Sequence, residues 1–377
     1  MIPRLLQPRV SDQLQAGGKI VLIYGARQVG KTTLVREVLR DLPYRTLSIN
    51  ADEMRFVDVL SSRDLRRLRG LVEGYELLFI DEAQRIPEIG INLKLLIDEL
   101  PHLRIVATGS SSLDLASKVQ EPLTGRAWVH RLYPIAMAEL RLQHSRFELD
   151  AMLEDRLVFG SYPDIFSLAG DHQRREYLVN LSASYLYKDL LEIGGIRYSS
   201  KLRNLVRLLA FQIGHEVSLS ELGSQLQMSK ETVASYIDLL EQSFVVFRLG
   251  GFSRNLRKEV SKQNKVYFWD LGVRNVVIDN LKPLAQRNDA GALWENFVVS
   301  ERLKWLHGQQ MLASLYFWRT YTGAEIDIVE ERGGALHAYE CKWTRAGGRV
   351  PESFQKAYPG ASYEIVNRDN VWDYIGA

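Results

Sequence analysis

At 377 residues the chain is too long for one comfortable hydrophobic core, so two to four domains are expected. Its 46% hydrophobic and 25% charged content is that of a soluble globular protein, and a net charge of +2 gives no global bias toward an acidic partner. The single cysteine, Cys341, excludes an intrachain disulfide and a thiolate metal cluster, and it fits a reducing compartment. The opening M-I-P-R-L-L-Q-P-R-V lacks an apolar stretch long enough for a secretory signal, and no run of about 20 apolar residues spans a membrane. A cytoplasmic protein is expected.

The first predicted strand, K-I-V-L-I-Y (19–24), is continuously apolar, as a parallel strand buried on both faces requires. It runs into G-A-R-Q-V-G-K-T (25–32), a full match to the Walker A pattern. Gly25 and Gly30 let the backbone curl so that its N–H groups face phosphate oxygens. Lys31 brings a charge to the β/γ-phosphates, and the Thr32 hydroxyl is placed to ligate Mg²⁺. The helix that follows presents its positive end to the anion. Gly25, Ala26, Arg27, Gln28, Val29, Gly30, Lys31, Thr32 and Thr33 are therefore the expected ATP-binding residues.

After a second strand, R-T-L-S-I-N (45–50), the segment E-L-L-F-I-D-E (76–82) is an apolar strand ending in paired acids, a Walker B strand. Asp81 is expected to hold Mg²⁺ and Glu82 to polarise the attacking water. That adjacent carboxylate favours an additional-strand ATPase, and with no N-K-x-D-type guanine reader the base expected is adenine. The fourth strand, L-R-I-V-A-T-G-S-S-S (103–112), puts Ser110 where a γ-phosphate sensor belongs, although such serines also cap helices. Arg126, just before a fifth strand, is either a transition-state arginine in cis or in trans, or a surface residue. Five strands alternating with helices predict a doubly wound α/β parallel sheet of P-loop NTPase type over residues 1–146.

Residues 147–198 read as a helical lid or spacer, broken at G-S-Y-P-D by Gly160 and Pro163. Residues 199–280 read as a winged helix. A short helix from Ser220 meets a turn near Met228 and Ser229. A second helix follows, with Val233, Ile237 and Leu240 on one apolar face and Gly223 small enough for close approach. Between Arg248 and Lys265 there are six Lys/Arg against Glu259, a patch suited to phosphates, although winged helices also dock proteins.

Residues 281–377 open with a helix carrying Glu295, and the hairpin 325–343 then places Asp327 on one strand and Glu340 with Lys342 on the other. Glu340 and Lys342 share a face because side chains alternate along a strand. This is the arrangement of a PD-(D/E)xK nuclease, in which two carboxylates hold Mg²⁺ and the lysine positions water. The competing reading is an ordinary charged hairpin face.

The whole chain resembles prokaryotic AAA-like ATP-binding proteins with a C-terminal domain of unknown function. G-A-R-Q-V-G-K-T-T-L, F-I-D-E-A-Q, T-G-S-S-S, L-T-G-R, G-S-Y-P-D, V-Y-F-W-D-L-G, L-W-E-N-F-V, E-I-D-I-V and Y-E-C-K-W carry the likeness. The resemblance implies ATP binding and hydrolysis and a restriction-endonuclease-like C-terminal fold, and it supplies no substrate. The expectation is thus an Mg²⁺-dependent ATPase that moves winged-helix and nuclease-like domains on DNA. The alternatives are a nucleotide switch for a protein partner and an ATP-gated nuclease; a homo-oligomer stays open.

Overall fold

The computed structural model describes residues 2–110, 123–183, 199–254, 264–344 and 347–377. They form two compact units, one of residues 3–134 with 242–244 and one of residues 135–241 and 245–377.

The first unit is built on five strands: β1 (Ile20–Tyr24), β2 (Thr46–Asn50), β3 (Leu77–Asp81), β4 (Arg104–Gly109) and β5 (Ala127–Arg131). All pair in parallel in the order β2-β3-β4-β1-β5. β1 is buried at every position and β3 at all but Asp81, because both of their faces are covered. The edge strands β2 and β5 alternate with solvent instead. With every strand pointing the same way, the loops after β1, β3 and β4 emerge together at the carboxyl edge of the sheet, where α/β sheets bind ligands.

The second unit holds a seven-stranded sheet, ordered β12-β11-β10-β9-β7-β8-β6. Its strands are β6 (Glu216–Val217), β7 (Val246–Gly251), β8 (Asn264–Phe268), β9 (Ala313–Arg319), β10 (Glu325–Arg332), β11 (Ala335–Cys341) and β12 (Ser362–Val366). Residues 199–268 run helix, β6, helix, helix, β7, β8 among the described residues, with β8 antiparallel to both β6 and β7. The turn between the helices Leu219–Leu226 and Lys230–Gln242 folds back onto Gly223 of the first helix, where a Cβ would come within 2.7 Å of the Met228 carbonyl oxygen, so only glycine fits. Val233, Ile237 and Leu240 are buried as their spacing requires.

The limits at 198/199 and 280/281 fall inside one unit, and β7 pairs with β9 (Gly250 with Tyr316, Gly251 with Phe317), which makes the sheet continuous across 280/281. The basic stretch is also smaller than its composition suggests. Arg248 is clamped by Asp238 and Glu241, and Lys265 is only 1% exposed. Arg254 is exposed, whereas Arg257, Lys258 and Lys262 lie outside the described residues.

Two of the quoted sequence stretches meet in a junction. The helix Arg146–Phe159 ends at Gly160 in a left-handed conformation, φ +72°. The Asp270 carboxylate packs so closely there that a Cβ on Gly160 would lie 2.1 Å from Oδ1. Asp270 accepts hydrogen bonds from the backbone N–H groups of Ser161 (2.6 Å) and Val273 (3.0 Å), which caps the helix Leu271–Val277. G-S-Y-P-D and W-D-L-G are thus the two halves of one structural joint.

Candidate functional site

The loop after β1 is held in its curve by sterics. A Cβ on Gly25 would meet the Leu132 carbonyl oxygen at 2.2 Å, Gln28 takes φ +60°, and Gly30 takes φ +93° before the helix Lys31–Arg40 begins. Left-handed turns of this kind point successive backbone N–H groups inward and make an anion cradle. The Lys31 ammonium donates to the carbonyls of Gly25 (3.0 Å) and Ala26 (2.9 Å), which brings it back over the start of the loop. Arg4 straps the loop from behind, donating to the carbonyls of Val29 (2.7 Å) and Tyr133 (2.6 Å). Nothing in M-I-P-R announces that role.

At the carboxyl end of β3, Asp81 accepts from the Thr32 hydroxyl (2.8 and 3.0 Å to its two oxygens) and from the Thr108 hydroxyl (2.5 Å). The backbone N–H of Glu82 donates to the same Thr108 oxygen at 3.3 Å. Thr108 is fully buried, and this contact follows from the parallel register of β3 and β4 rather than from any motif. Glu82 has φ +54°, a left-handed conformation unusual for a residue with a side chain. It opens a single turn, Ala83–Arg85, whose Gln84 amide donates to Glu82 Oε2 (2.5 Å) and to Ser110 Oγ (2.9 Å). Lys31, Thr32, Asp81, Glu82 and Ser110 thus all sit at or just beyond the carboxyl ends of β1, β3 and β4. The donor set fits Mg-ATP. A hydroxyl and a carboxylate are hard oxygen ligands suited to Mg²⁺, and the cradle suits phosphate.

Arg126 lies apart from this cluster. Its carbonyl accepts from the N–H of Ile20, and β5 pairs with β1 from Ala127 opposite Ile20 to Arg131 opposite Tyr24. Arg126 therefore stands at the amino edge of the sheet, roughly 15–20 Å along the strands from the phosphate loop at about 3.3 Å per residue. There it pairs with Asp98 at 2.7 Å, and both side chains are 40% exposed. It does not reach the phosphates of its own chain.

In the second unit, Glu295, Asp327, Glu340 and Lys342 do come together, with two residues that sequence reasoning missed. Lys265, on β8, pairs with Glu295 at 3.0 Å and with Glu325 at 2.6 Å. Tyr267 donates to Glu295 at 2.6 Å. Burial works against the Lys265 charge, yet Glu295 and Glu325 hold its pKa above the ordinary lysine range. Lys342 pairs with Glu340 at 2.7 Å, and Asp327 accepts from the backbone N–H of Cys341 at 2.8 Å. Burial, reinforced by the charges of Glu295 and Glu340, pushes Asp327 up to about 8. Among the described residues, no group of three or more His, Cys, Asp or Glu side chains is arranged to hold a metal ion. Lysines already pair with Glu295, Glu325 and Glu340, which weighs against Mg²⁺ at those three, whereas Asp327 takes a backbone N–H. Lys265 and Tyr267 lie about 30 residues upstream, and only the placement of β8 beside the helix Ala290–Gln309 shows their part.

An AAA domain model matches residues 17–141, and two domains of unknown function, DUF8612 and DUF4143, match residues 150–284 and 290–374. The uncharacterized protein Rv2008c of Mycobacterium tuberculosis is 30% identical over 331 residues, an alignment covering 86% of this chain and 70% of that protein. The chain belongs to its family. The matched models give this chain an AAA domain followed by domains of unknown function. A more distant relative, the uncharacterized protein MJ1637 of Methanocaldococcus jannaschii, is 23% identical, covering 78% of this chain and 70% of its own length. Among solved structures, the Walker-type ATPase PABY2304 of Pyrococcus abyssi aligns with 74% of this chain and 96% of its own, at 18% identity and a TM-score of 0.49. Among the described residues, no helix is long and apolar enough to cross a membrane.

Proposed function

We propose that this family member is an Mg²⁺-dependent ATPase that couples ATP binding and hydrolysis to movement of residues 135–377. The observation that carries the reading is the gathering of Asp81, Thr32 and Thr108 beside a glycine-bent loop that ends in Lys31. In this reading the backbone of 25–30 and the Lys31 ammonium bind the phosphates, and Thr32 with Asp81 holds the ion. When bound, Mg²⁺ supplies charge neutralisation at the transferring phosphoryl group. Glu82 orients the attacking water and takes its proton. The test is calorimetry of ATP with Mg²⁺, paired with phosphate release. No heat of binding in pure material ends the proposal.

For the second unit we infer a docking module that does not cut nucleic acid, which favours the switch reading over an ATP-gated nuclease. Lys265 between Glu295 and Glu325, and Lys342 on Glu340, support this, since each lysine supplies the charge a divalent ion would bring. The helix–strand–helix–helix–strand–strand order of residues 199–268 supports a winged helix, a fold that docks on DNA or on protein. ATP turnover with and without duplex DNA, at two salt concentrations, separates these partners. Steeply salt-dependent stimulation identifies DNA, and indifference to DNA leaves a protein. Mn²⁺-dependent cleavage that disappears in Asp327→Ala would restore the nuclease.

A further inference from the structure

We propose that Gln84 is a positioning residue that ties the carboxylate of Glu82 to the hydroxyl of Ser110, so that contact with the terminal phosphate and alignment of the base form one linked unit. The inference rests on the ATPase reading and deepens it. The single turn Ala83–Arg85 that follows Glu82 folds the Gln84 side chain back toward its own strand end and across to the end of β4. The two protons of one NH₂ group are then divided. One goes to Glu82 Oε2 at 2.5 Å and the other to Ser110 Oγ at 2.9 Å.

This division has chemical consequences. With Oε2 held, Oε1 is the Glu82 oxygen left for water, and its direction is fixed by the amide. Because Ser110 Oγ accepts from Gln84, its own O–H is left to donate to an incoming phosphoryl oxygen. A phosphate that engages Ser110 therefore also fixes the partner that orients Glu82, and a nucleoside diphosphate does not. The arrangement has a cost. Gln84 Oε1 is buried with no hydrogen-bond partner among the described residues, which disfavours such a group. Turning the amide over would aim that oxygen at a carboxylate, so the orientation is set by what the NH₂ group does.

The experiment uses the full chain with Gln84→Ala and the nearly isosteric Gln84→Glu, reading ATP affinity by calorimetry and ATP turnover from acidic to alkaline pH. Gln84→Ala is expected to lower kcat roughly 10- to 100-fold, the scale on which misorienting a general base acts, with ATP affinity within about twofold. Gln84→Glu is expected to be at least as slow at neutral pH and to regain part of its turnover as pH falls, because a protonated carboxyl again donates to Glu82 although its single proton leaves Ser110 untied. A role confined to stability would lower the melting temperature without that recovery. A Gln84→Ala kcat within about threefold of wild type, or a Gln84→Glu loss that ignores pH, overturns the proposal while the ATPase reading stands. If the wild-type chain binds ATP but does not turn it over, the inference falls along with Glu82 as base. If it binds no ATP, both readings fall.

Discussion

The two charged clusters of this molecule are built on opposite plans. In the first unit the acids at the sheet edge take their hydrogen bonds from neutral groups, Asp81 from two threonine hydroxyls and Glu82 from an amide. Their negative charge is oriented without being neutralised. In the second unit each of three glutamates meets a lysine, Glu295 and Glu325 through Lys265 and Glu340 through Lys342. Neutral donors leave a field for a cation to answer, whereas ion pairs answer it internally. Similar residue types, acids with a lysine near strand ends, thus give acids oriented by neutral donors in one unit and three lysine-paired glutamates in the other.

The sharpest way to break this contrast is Glu82→Gln. If the first cluster is catalytic, turnover should fall about 10²- to 10⁴-fold while ATP binding persists, as steady-state kinetics with calorimetry will show. Lys265→Met asks the matching question of the second cluster. Removing one partner of a buried ion pair strands the other, so stability should drop by roughly 3–5 kcal/mol in a denaturant titration. An unchanged midpoint would mean that Glu295 and Glu325 do not depend on Lys265. Lys31→Ala should weaken ATP roughly 10- to 100-fold by loss of charge-assisted contacts to phosphate, with little effect on the melting temperature without nucleotide.

A pH-dependent effect concerns Asp327. In the folded chain it keeps its proton up to about 8, whereas an unfolded aspartate loses it near about 3.9. As pH rises the unfolded state deprotonates first, so the stability linked to this acid is complete below about 3.9 and declines until about 8. Asp327→Asn carries a neutral amide throughout, so its stability should vary less with pH across that window. Parallel curves for the two proteins would remove the shift.

The legible parts of the molecule are those in which the determining neighbours are close in sequence. β1 and its glycine-bent loop were readable because burial on both faces demands an unbroken apolar run, and the turn itself demands Gly25 and Gly30. The face of Val233, Ile237 and Leu240 was readable from helical spacing alone. Whether Arg126 reaches the phosphates of its own chain was not readable, because its distance from the phosphate loop depends on the β1–β5 register, which no local pattern contains. Arg248 and Lys265 were counted as surface cations because composition does not show which acids face them. Thr108 and Gln84 stand inside the quoted stretches T-G-S-S-S and F-I-D-E-A-Q, but what they do there shows only once β3 and β4 lie side by side.

The β7–β9 pairing has a practical outcome for anyone dissecting this chain. A fragment beginning at residue 281 would bare one flank of β9, exposing unpaired amide and carbonyl groups that recruit other chains. Such a fragment is expected to precipitate or self-associate, while expression of residues 135–377 in one piece keeps that flank covered.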